Sequence, residues 1–197
     1  MDDLARPLDR REAVARLLAN RDRARFVVPG LGPPAYDVMA AGDDDRNFYL
    51  WGAMGGAAMV GLGLANAQRE KSVLVVTGDG EAMMGLGALA TVAVRKPPNL
   101  SIVVLDNGRF GETGMQASHT GLGVEIDKVA ASLGFGWTQA VADTAGLDAL
   151  RSKIMARAGT GLAVVRIKAE NPPRVLPPRD GVHLKTRFRA ALGLPVN

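Results

Sequence analysis

Two apolar runs joined by a helical stretch constrain the fold of this chain most strongly. Residues 72–77 and 100–105 are apolar runs bounded by polar, Gly or Pro residues, a pattern typical of parallel strands that are buried on both faces. Residues 81–94 between them are rich in Ala, Leu and Met and contain no Pro, so we expect a helix that ends before Lys96. A strand, a helix and a second strand in this order predict a βαβ unit with parallel strands.

Polar residues follow both predicted strands. Asp79, within a Gly-Asp-Gly tripeptide, follows the first strand, and Asn107 follows the second. Because the carboxyl ends of adjacent parallel strands lie at one edge of a sheet, we expect the carboxylate and the amide to face the same point. Mg²⁺ and Ca²⁺ prefer such oxygen ligands. The helix that begins near Glu81 offers free backbone N–H groups to a phosphate, and Gly78 and Gly80 let the backbone come close to it.

At these positions the chain resembles the thiamine diphosphate (ThDP) enzymes, whose diphosphate-binding domain carries Gly-Asp-Gly followed, after some two dozen residues, by two asparagines. The resemblance implies that thiamine diphosphate and Mg²⁺ are the cofactors. It also implies that Asp79 and Asn107 bind the metal through side-chain oxygens and that Arg109 binds it through its main-chain carbonyl. Asp106 stands where the family has the first asparagine, a position that we do not expect to bind the metal directly.

Length and composition favour one domain. The chain has 197 residues, 47% of them hydrophobic, and 24 glycines, enough for one substantial core. We expect an α/β fold, an open and mostly parallel sheet flanked by helices on both faces. Residues 1–171 would form the ThDP diphosphate-binding domain, and residues 172–197 a linker rich in Pro and Arg and a C-terminal helix of the same domain.

The absence of cysteine excludes disulfides, cysteine-zinc sites and iron–sulfur clusters bound by this chain. We therefore expect a cytoplasmic protein, and no stretch predicts a membrane span. Residues 166–197 carry seven basic and two acidic side chains but a single aromatic one, Phe188. This pattern favours a terminal helix that faces solvent or another subunit over a nucleic-acid-binding tail.

Two glycine-rich loops follow predicted strands. An amphipathic helix over 8–20 and a strand over 25–28 lead to residues 29–34, where Gly30 belongs either to a ligand loop or to an ordinary turn. Residues 48–50 predict a short strand and residues 57–68 a helix. A dinucleotide site is disfavoured, because no acidic residue ends the next strand.

The loop between these last two elements, Gly52-Ala53-Met54-Gly55, resembles the loop that holds the aminopyrimidine in ThDP enzymes. The resemblance implies that the Gly52 carbonyl binds the exocyclic amine and that Met54 lies between the two cofactor rings. A methionine of the hydrophobic core is the alternative for Met54.

Residues 108–121 are too polar and rich in Gly for a core. They resemble the aromatic-Gly-x-Thr-Gly-x-Gln segment of ThDP-dependent 2-oxoacid enzymes, which implies that Phe110 and Gly111 lie beside diphosphate and substrate. His119 either binds a substrate carboxylate or carries a proton as a catalytic residue, or it is an exposed loop histidine without a role. His183, in the basic tail, is expected to be inert.

The remaining chain continues the alternation, with predicted helices over 126–133 and 147–158 and strands over 135–141 and 162–167. Both ends of the chain resemble small decarboxylase subunits that act on sulfopyruvate or phosphonopyruvate. The matching residues are Arg10-Arg11-Glu12-Ala13 and the Pro/Arg linker with its Arg-Phe-Arg helix.

In the ThDP family, the glutamate that activates the cofactor comes from a separate pyrimidine-binding domain, for which this chain has no room. The resemblance therefore implies the diphosphate-binding subunit of a 2-oxoacid decarboxylase. Its expected partner is a pyrimidine-binding (alpha) subunit of similar size, in a hetero-oligomer, or in a homo-oligomer when the chain is expressed alone. The alternatives are a carboligase of the acetolactate synthase type, a 2-oxoacid:ferredoxin oxidoreductase subunit, or a ThDP-binding module without activity. The sequence leaves the 2-oxoacid itself open.

Overall fold

A computed structural model describes residues 7–196, so that residues 1–6 and Asn197 lie outside the described part. Helices and strands alternate along the chain. The helices are α1 (Arg10–Leu18), α2 (Pro33–Ala40), α3 (Ala57–Ala67), α4 (Asp79–Met84), α5 (Leu86–Arg95), α6 (Ile126–Ser132), α7 (Thr144–Met155) and α8 (Gly181–Ala191). The strands are β1 (Arg25–Pro29), β2 (Ser72–Gly78), β3 (Leu100–Asp106), β4 (Arg109–Phe110), β5 (Gln116–Ala117), β6 (Trp137–Val141) and β7 (Gly161–Arg166).

Five strands form one parallel sheet in the order β1-β2-β3-β7-β6. The predicted α/β fold class is confirmed. Strands β2 and β3 are neighbours, and their register pairs Val73 with Leu100 and Gly78 with Leu105. Asp79 and Asp106-Asn107 therefore leave the sheet side by side, as the βαβ prediction requires.

Both faces of the sheet are covered by helices, which explains why its strands are apolar throughout. Leu74 and Val76 of β2 belong to one core cluster, with residues of α1, α2, α7 and α8. Val73 and Val75 belong to the other cluster, with residues of α3, α5 and α6. Because α2 follows β1 on one face and α4–α5 follow β2 on the other, a crevice opens between the two strand ends, where open α/β sheets bind ligands.

The structure corrects two predicted elements. The helix expected over 81–94 is two helices, interrupted at Gly85, where a Cβ atom would lie 2.2 Å from the carbonyl oxygen of Gly55. Residues 48–50 form no strand, although Phe48 donates to the Val27 carbonyl at 2.9 Å and Asn47 makes an isolated bridge with Val27. The chain runs beside β1 there, but the pairing is too short for a strand.

The sequence did not predict α2 or the β4–β5 hairpin. Helix α2 begins with Pro33 and Pro34, which the first turn of a helix tolerates because its N–H groups lack helical partners anyway. The other predicted helices and strands are present, with ends shifted by at most three residues.

The C-terminal helix packs on the domain. Phe188 is 7% exposed, and its ring meets Phe26 edge to face at 5.4 Å between centroids. It also contacts Phe48 at 5.0 Å. The side of the helix that carries Phe188 therefore packs on the domain, and only its other sides can face solvent or another subunit. Among the described helices, none has the length and apolarity needed to cross a bilayer.

Candidate active site

A cleft of about 160 Å³ lies at the carboxyl ends of β1, β2 and β3. Nine residues that the sequence analysis selected line it: Met54, Gly78, Asp79, Gly80, Glu81, Asn107, Arg109, Phe110 and Gly111. Leu31, Gly32 and Pro33 of the loop after β1 form the opposite wall. The cleft therefore lies at the crevice between the two strand ends, and it brings together segments that are distant in sequence.

Asp79 is the buried carboxylate of this cleft. It is the first residue of α4 and is 3% exposed. Its Oδ2 accepts hydrogen bonds from the hydroxyl groups of Ser118 and Thr120, the latter at 2.9 Å. Burial raises the pKa of Asp79, and the negative charge of Asp106 raises it further, against the two hydroxyl hydrogen bonds. A cation beside Asp79 would offset both unfavourable effects.

Asp106 shapes the neighbouring loop. Its Oδ1 accepts from the Gly108 N–H at 2.9 Å and from Thr120 Oγ1 at 2.7 Å, and its Oδ2 pairs with Arg166. The Thr120 hydroxyl thus contacts two carboxylates but has one proton to donate. The negative charges of Asp79 and Asp106 disfavour each other, and a cation beside Asp79 would relieve that repulsion. These contacts hold Asp106 within its own loop.

Asn107 and Arg109 line the same cleft as Asp79. Asn107 Oδ1 accepts from the backbone N–H of Arg109 at 3.0 Å, so the two residues form one tight turn. Residues 7–196 contain no cluster of three or more His, Cys, Asp and Glu side chains that could hold a metal. A divalent cation held here would need amide, carbonyl and phosphate oxygens in addition to Asp79, which is the ligand set of a diphosphate-bound Mg²⁺. The residues present fit such an ion.

The Glu81 carboxylate joins three segments. It is 4% exposed, and its Oε2 accepts from Thr77 Oγ1 at 2.7 Å. Backbone N–H groups of Leu31, Gly55 and Ala57 face it and lower its pKa, although none reaches Oε1 with hydrogen-bond geometry. Burial outweighs these groups and raises the pKa of Glu81.

Gly30 makes room for this carboxylate. A Cβ atom at residue 30 would lie 1.7 Å from Glu81 Oε2. Gly30 does not line the cleft itself. Gly30 therefore accommodates the Glu81 carboxylate. Glu81 in turn connects α4 to the loop after β1 and to the loop before α3.

Met54 reaches the cleft from the loop before α3. It is 42% exposed and lines the wall, so the alternative of a core methionine is wrong. Gly52 is exposed in the same loop but lies outside the cleft lining. The loop is anchored to the C-terminal segment, because the Trp51 indole N–H donates to the Pro178 carbonyl at 2.7 Å.

His119 points away from the cleft. It is exposed, it is absent from the cleft lining, and its ring meets Phe110 edge-on at 6.2 Å. The adjacent Ser118 and Thr120 are buried and turn inward to Asp79. Sequence reasoning missed these two hydroxyls, and no alternation of extended backbone could have indicated them, because His119 has helical backbone angles and Thr120 begins a 3₁₀ turn.

The C-terminal segment supports the hairpin that follows the predicted metal loop. Asn171 Nδ2 donates to the Gly111 carbonyl at 3.1 Å, and Arg174 pairs with Glu112 at 2.7 Å. A Cβ on Gly111 would lie 2.8 Å from Asn171 Oδ1. The close contact explains the glycine and fixes Phe110 at the cleft wall.

The sequence model of a known protein family matches residues 39–167 of this chain. Its description is "Thiamine pyrophosphate enzyme, C-terminal TPP binding domain". The match contains Met54, Asp79 and Asn107, and it begins after α1 and β1.

Three curated proteins are similar to this chain over 62% to 97% of its length. Sulfopyruvate decarboxylase subunit beta of Methanothermobacter thermautotrophicus is 40% identical over 65% of this chain and 68% of that protein. The subunit of the same name from Methanocaldococcus jannaschii is 35% identical over 62% of this chain and 65% of that protein. Phosphonopyruvate decarboxylase of Streptomyces viridochromogenes is 36% identical over 97% of this chain and 48% of that protein. The chain thus spans about two thirds of the first two relatives and half of the third.

Solved structures share the fold. A Mycobacterium smegmatis enzyme described as thiamin diphosphate-dependent superposes with a TM-score of 0.70 at 23% identity, over 82% of this chain and 32% of that one. Benzoylformate decarboxylase from Polynucleobacter necessarius superposes with a TM-score of 0.69 at 21% identity, over 88% of this chain and 35% of that one.

Proposed function

Because this chain belongs to the thiamine pyrophosphate enzymes, through their C-terminal TPP-binding domain, we propose that it is the diphosphate-binding subunit of a ThDP- and Mg²⁺-dependent 2-oxoacid decarboxylase. The observation that carries the proposal is the convergence of Asp79, Asn107 and Met54 on one cleft. Three separate loops contribute these residues. Their meeting at the crevice of a parallel sheet supports a diphosphate site in this position.

Within the proposed site, Asp79, Asn107 and the Arg109 carbonyl would hold Mg²⁺. The backbone of Gly78 and Gly80 would approach the diphosphate, and Met54 and Gly52 would orient the cofactor rings. Bound ThDP would supply the electron sink for loss of CO2 from a 2-oxoacid. The chain's own contribution is then binding, orientation and exclusion of water, since its cleft walls are largely apolar around the buried Asp79.

Within residues 7–196, every carboxylate that lines the cleft already has a hydrogen-bond or ion-pair partner. Asp79 accepts from Ser118 and Thr120, Glu81 accepts from Thr77, and Glu112 pairs with Arg174. This supports a proposal in which the acid that activates the pyrimidine comes from a partner chain. The names of the relatives as beta subunits support an alpha subunit as that partner.

The substrate class is proposed from the relatives. Their names point to sulfopyruvate and phosphonopyruvate, which are small 2-oxoacids with a second anionic group. We also propose a cytoplasmic hetero-oligomer. Residues 172–197 are proposed to belong to the same domain as residues 1–171, which the packing of Phe188 on Phe26 supports.

The test begins with calorimetric titration of ThDP into the purified chain with and without Mg²⁺. We expect binding that requires the metal in the natural chain and is lost in Asp79→Asn, with the far-UV circular dichroism of the variant unchanged. Metal-dependent affinity that is equal in both proteins would reject the metal assignment. His119→Ala serves as the control, since the imidazole lies outside the cleft lining.

The partner is tested by gentle purification of the tagged chain from its own cells, followed by mass spectrometry. We expect a stoichiometric companion with a pyrimidine-binding fold, and CO2 release from sulfopyruvate or phosphonopyruvate only when both chains are present. Turnover by this chain alone would refute the need for a partner. Recovery of the chain without a companion would favour a binding module.

A further inference from the structure

A second, polar cavity of about 70 Å³ adjoins the cleft on the side of α1 and α2. Its charged and aromatic lining consists of Arg10, Arg11, Tyr36, Asp37, Glu112 and Arg174. Both cavities share wall residues, among them Arg10 and Glu112. The polar cavity is therefore an extension of the cleft, and Arg10 lies at the junction.

Arg10 is a buried cation with unused donors. It is 5% exposed, and its Nε donates to Asp37 Oδ2 at 2.7 Å. No hydrogen bond among residues 7–196 engages its two terminal nitrogens. They are not fully buried, and Arg10 lines both cavities. A guanidinium can donate five hydrogen bonds, and burial without partners is costly.

The charges around the polar cavity do not cancel. Three arginines line it against two carboxylates, Asp37 and Glu112. Glu112 is paired with Arg174 at 2.7 Å, and Asp37 is shared between Arg10 at 2.7 Å and Arg11 at 3.5 Å. One positive charge is left over beside Arg10. A positive surplus beside a buried guanidinium with unused donors favours an anionic ligand.

We propose that Arg10 forms a subsite for a tetrahedral oxyanion, a phosphate, phosphonate or sulfonate group, at the junction of the two cavities. The planar guanidinium fork suits such groups, because it donates two parallel hydrogen bonds to their oxygens. The inference deepens the proposed function and rests on it. The oxyanion is either the terminal phosphate of the cofactor or the second anionic group of the substrate. Arg10 lies outside residues 39–167, the part that the family model matches.

The experiment compares the natural chain, Arg10→Gln and Arg10→Lys by calorimetry, in the complex with its companion. The probes are ThDP and thiamine monophosphate, each with Mg²⁺, and methylphosphonate titrated into the ThDP-loaded complex. A loss of about tenfold to a hundredfold is expected in Arg10→Gln for the oxyanion that Arg10 binds. Arg10→Lys should recover part of it, since it keeps the charge but loses the fork.

The pattern of losses identifies the source of the oxyanion. Weaker ThDP with unchanged thiamine monophosphate assigns the terminal phosphate. Unchanged ThDP with weaker methylphosphonate assigns the substrate group. Affinities that stay within twofold of the natural chain for all three probes would overturn the subsite.

Two controls keep the test decisive. Arg16→Gln removes the same charge from an exposed position of α1 that pairs with Asp148, and it should leave every affinity unchanged. If the natural complex does not bind ThDP, the proposed function fails. The subsite is then measured with inorganic phosphate on the single chain, where equal affinity of the natural chain and Arg10→Gln refutes it. Should Arg10→Gln fail to fold, Arg10→Lys replaces it; a smaller loss is then expected because only the fork is removed, and an affinity equal to that of the natural chain refutes the subsite.

Discussion

The Gly30→Ala substitution tests most directly whether Gly30 makes room for the Glu81 carboxylate. The added methyl group would lie 1.7 Å from Glu81 Oε2 and 2.6 Å from its Cδ, so the carboxylate must move. Gly30 is not among the residues with positive φ, and alanine therefore brings no backbone strain of its own. The expected effect comes from the displaced carboxylate.

The expected change in the free energy of unfolding combines two destabilising contributions and one stabilising contribution. Overpacking a buried site costs about 1–3 kcal/mol, and loss of the Thr77 hydrogen bond to a buried carboxylate costs about 1.5–3 kcal/mol. Alanine also restricts the unfolded chain, which returns about 0.4–1 kcal/mol. We expect the free energy of unfolding to fall by about 2–5 kcal/mol, a large part of the total stability of a domain.

Urea denaturation followed by circular dichroism measures this change. The control is Gly63→Ala, in the middle of α3, where nothing lies within 4 Å of the added Cβ. It should raise the free energy of unfolding by about 0.5–1 kcal/mol. Adding Glu81→Ala to Gly30→Ala should remove the clash, so that the two substitutions are strongly non-additive. A Gly30→Ala chain as stable as the natural one would refute the packing argument.

The remaining predictions concern the site and the pH dependence of stability. Burial raises the pKa of Asp79, so the ionised carboxylate destabilises the folded chain at a pH above that pKa. Asp79→Asn should therefore raise the melting temperature of the ligand-free protein at pH 7. A lower melting temperature of this variant would contradict that reasoning. Met54→Ala should weaken ThDP binding about tenfold without loss of stability, whereas Met59→Ala, at 43% exposure on α3 and outside the cleft lining, should leave binding unchanged. Burial raises the pKa of Asp44, but hydrogen bonds, chiefly from Arg46, outweigh burial and hold the pKa below its usual range. Asp44→Asn should therefore cost about 1 kcal/mol at pH 7, and melting curves should show this difference shrinking as the pH falls below about 4. A difference at pH 2 as large as that at pH 7 would contradict the assignment.

Sequence reasoning was reliable where a local pattern decides the outcome. The apolar runs of β2 and β3 and the intervening stretch without proline predicted adjacent parallel strands, and the structure has them. Asp79 and Asn107 follow those strands directly, so that their approach at one sheet edge was implied by the strand order. The family match agrees with the resemblance that these motifs indicated.

Local patterns were less informative where two distant segments touch. Gly85 interrupts the predicted helix at the point where it lies against the backbone of Gly55. Helix propensity does not describe such a contact between distant segments. The direction of side chains in the 108–121 loop was likewise undetermined, and the histidine that attracted attention points outward.

The α/β class, the order of the central elements and the presence of a polar diphosphate-type motif could be predicted from the sequence alone. These properties follow from hydrophobic periodicity, helix-breaking residues and spacing along the chain, which are local. The tertiary structure was needed to show that Ser118 and Thr120 bind Asp79, that Gly30 accommodates Glu81, and that the terminal nitrogens of Arg10 make no hydrogen bond within residues 7–196. Such contacts join residues far apart in sequence. They depend on the exact packing of side chains across the sheet edge, which no local pattern encodes.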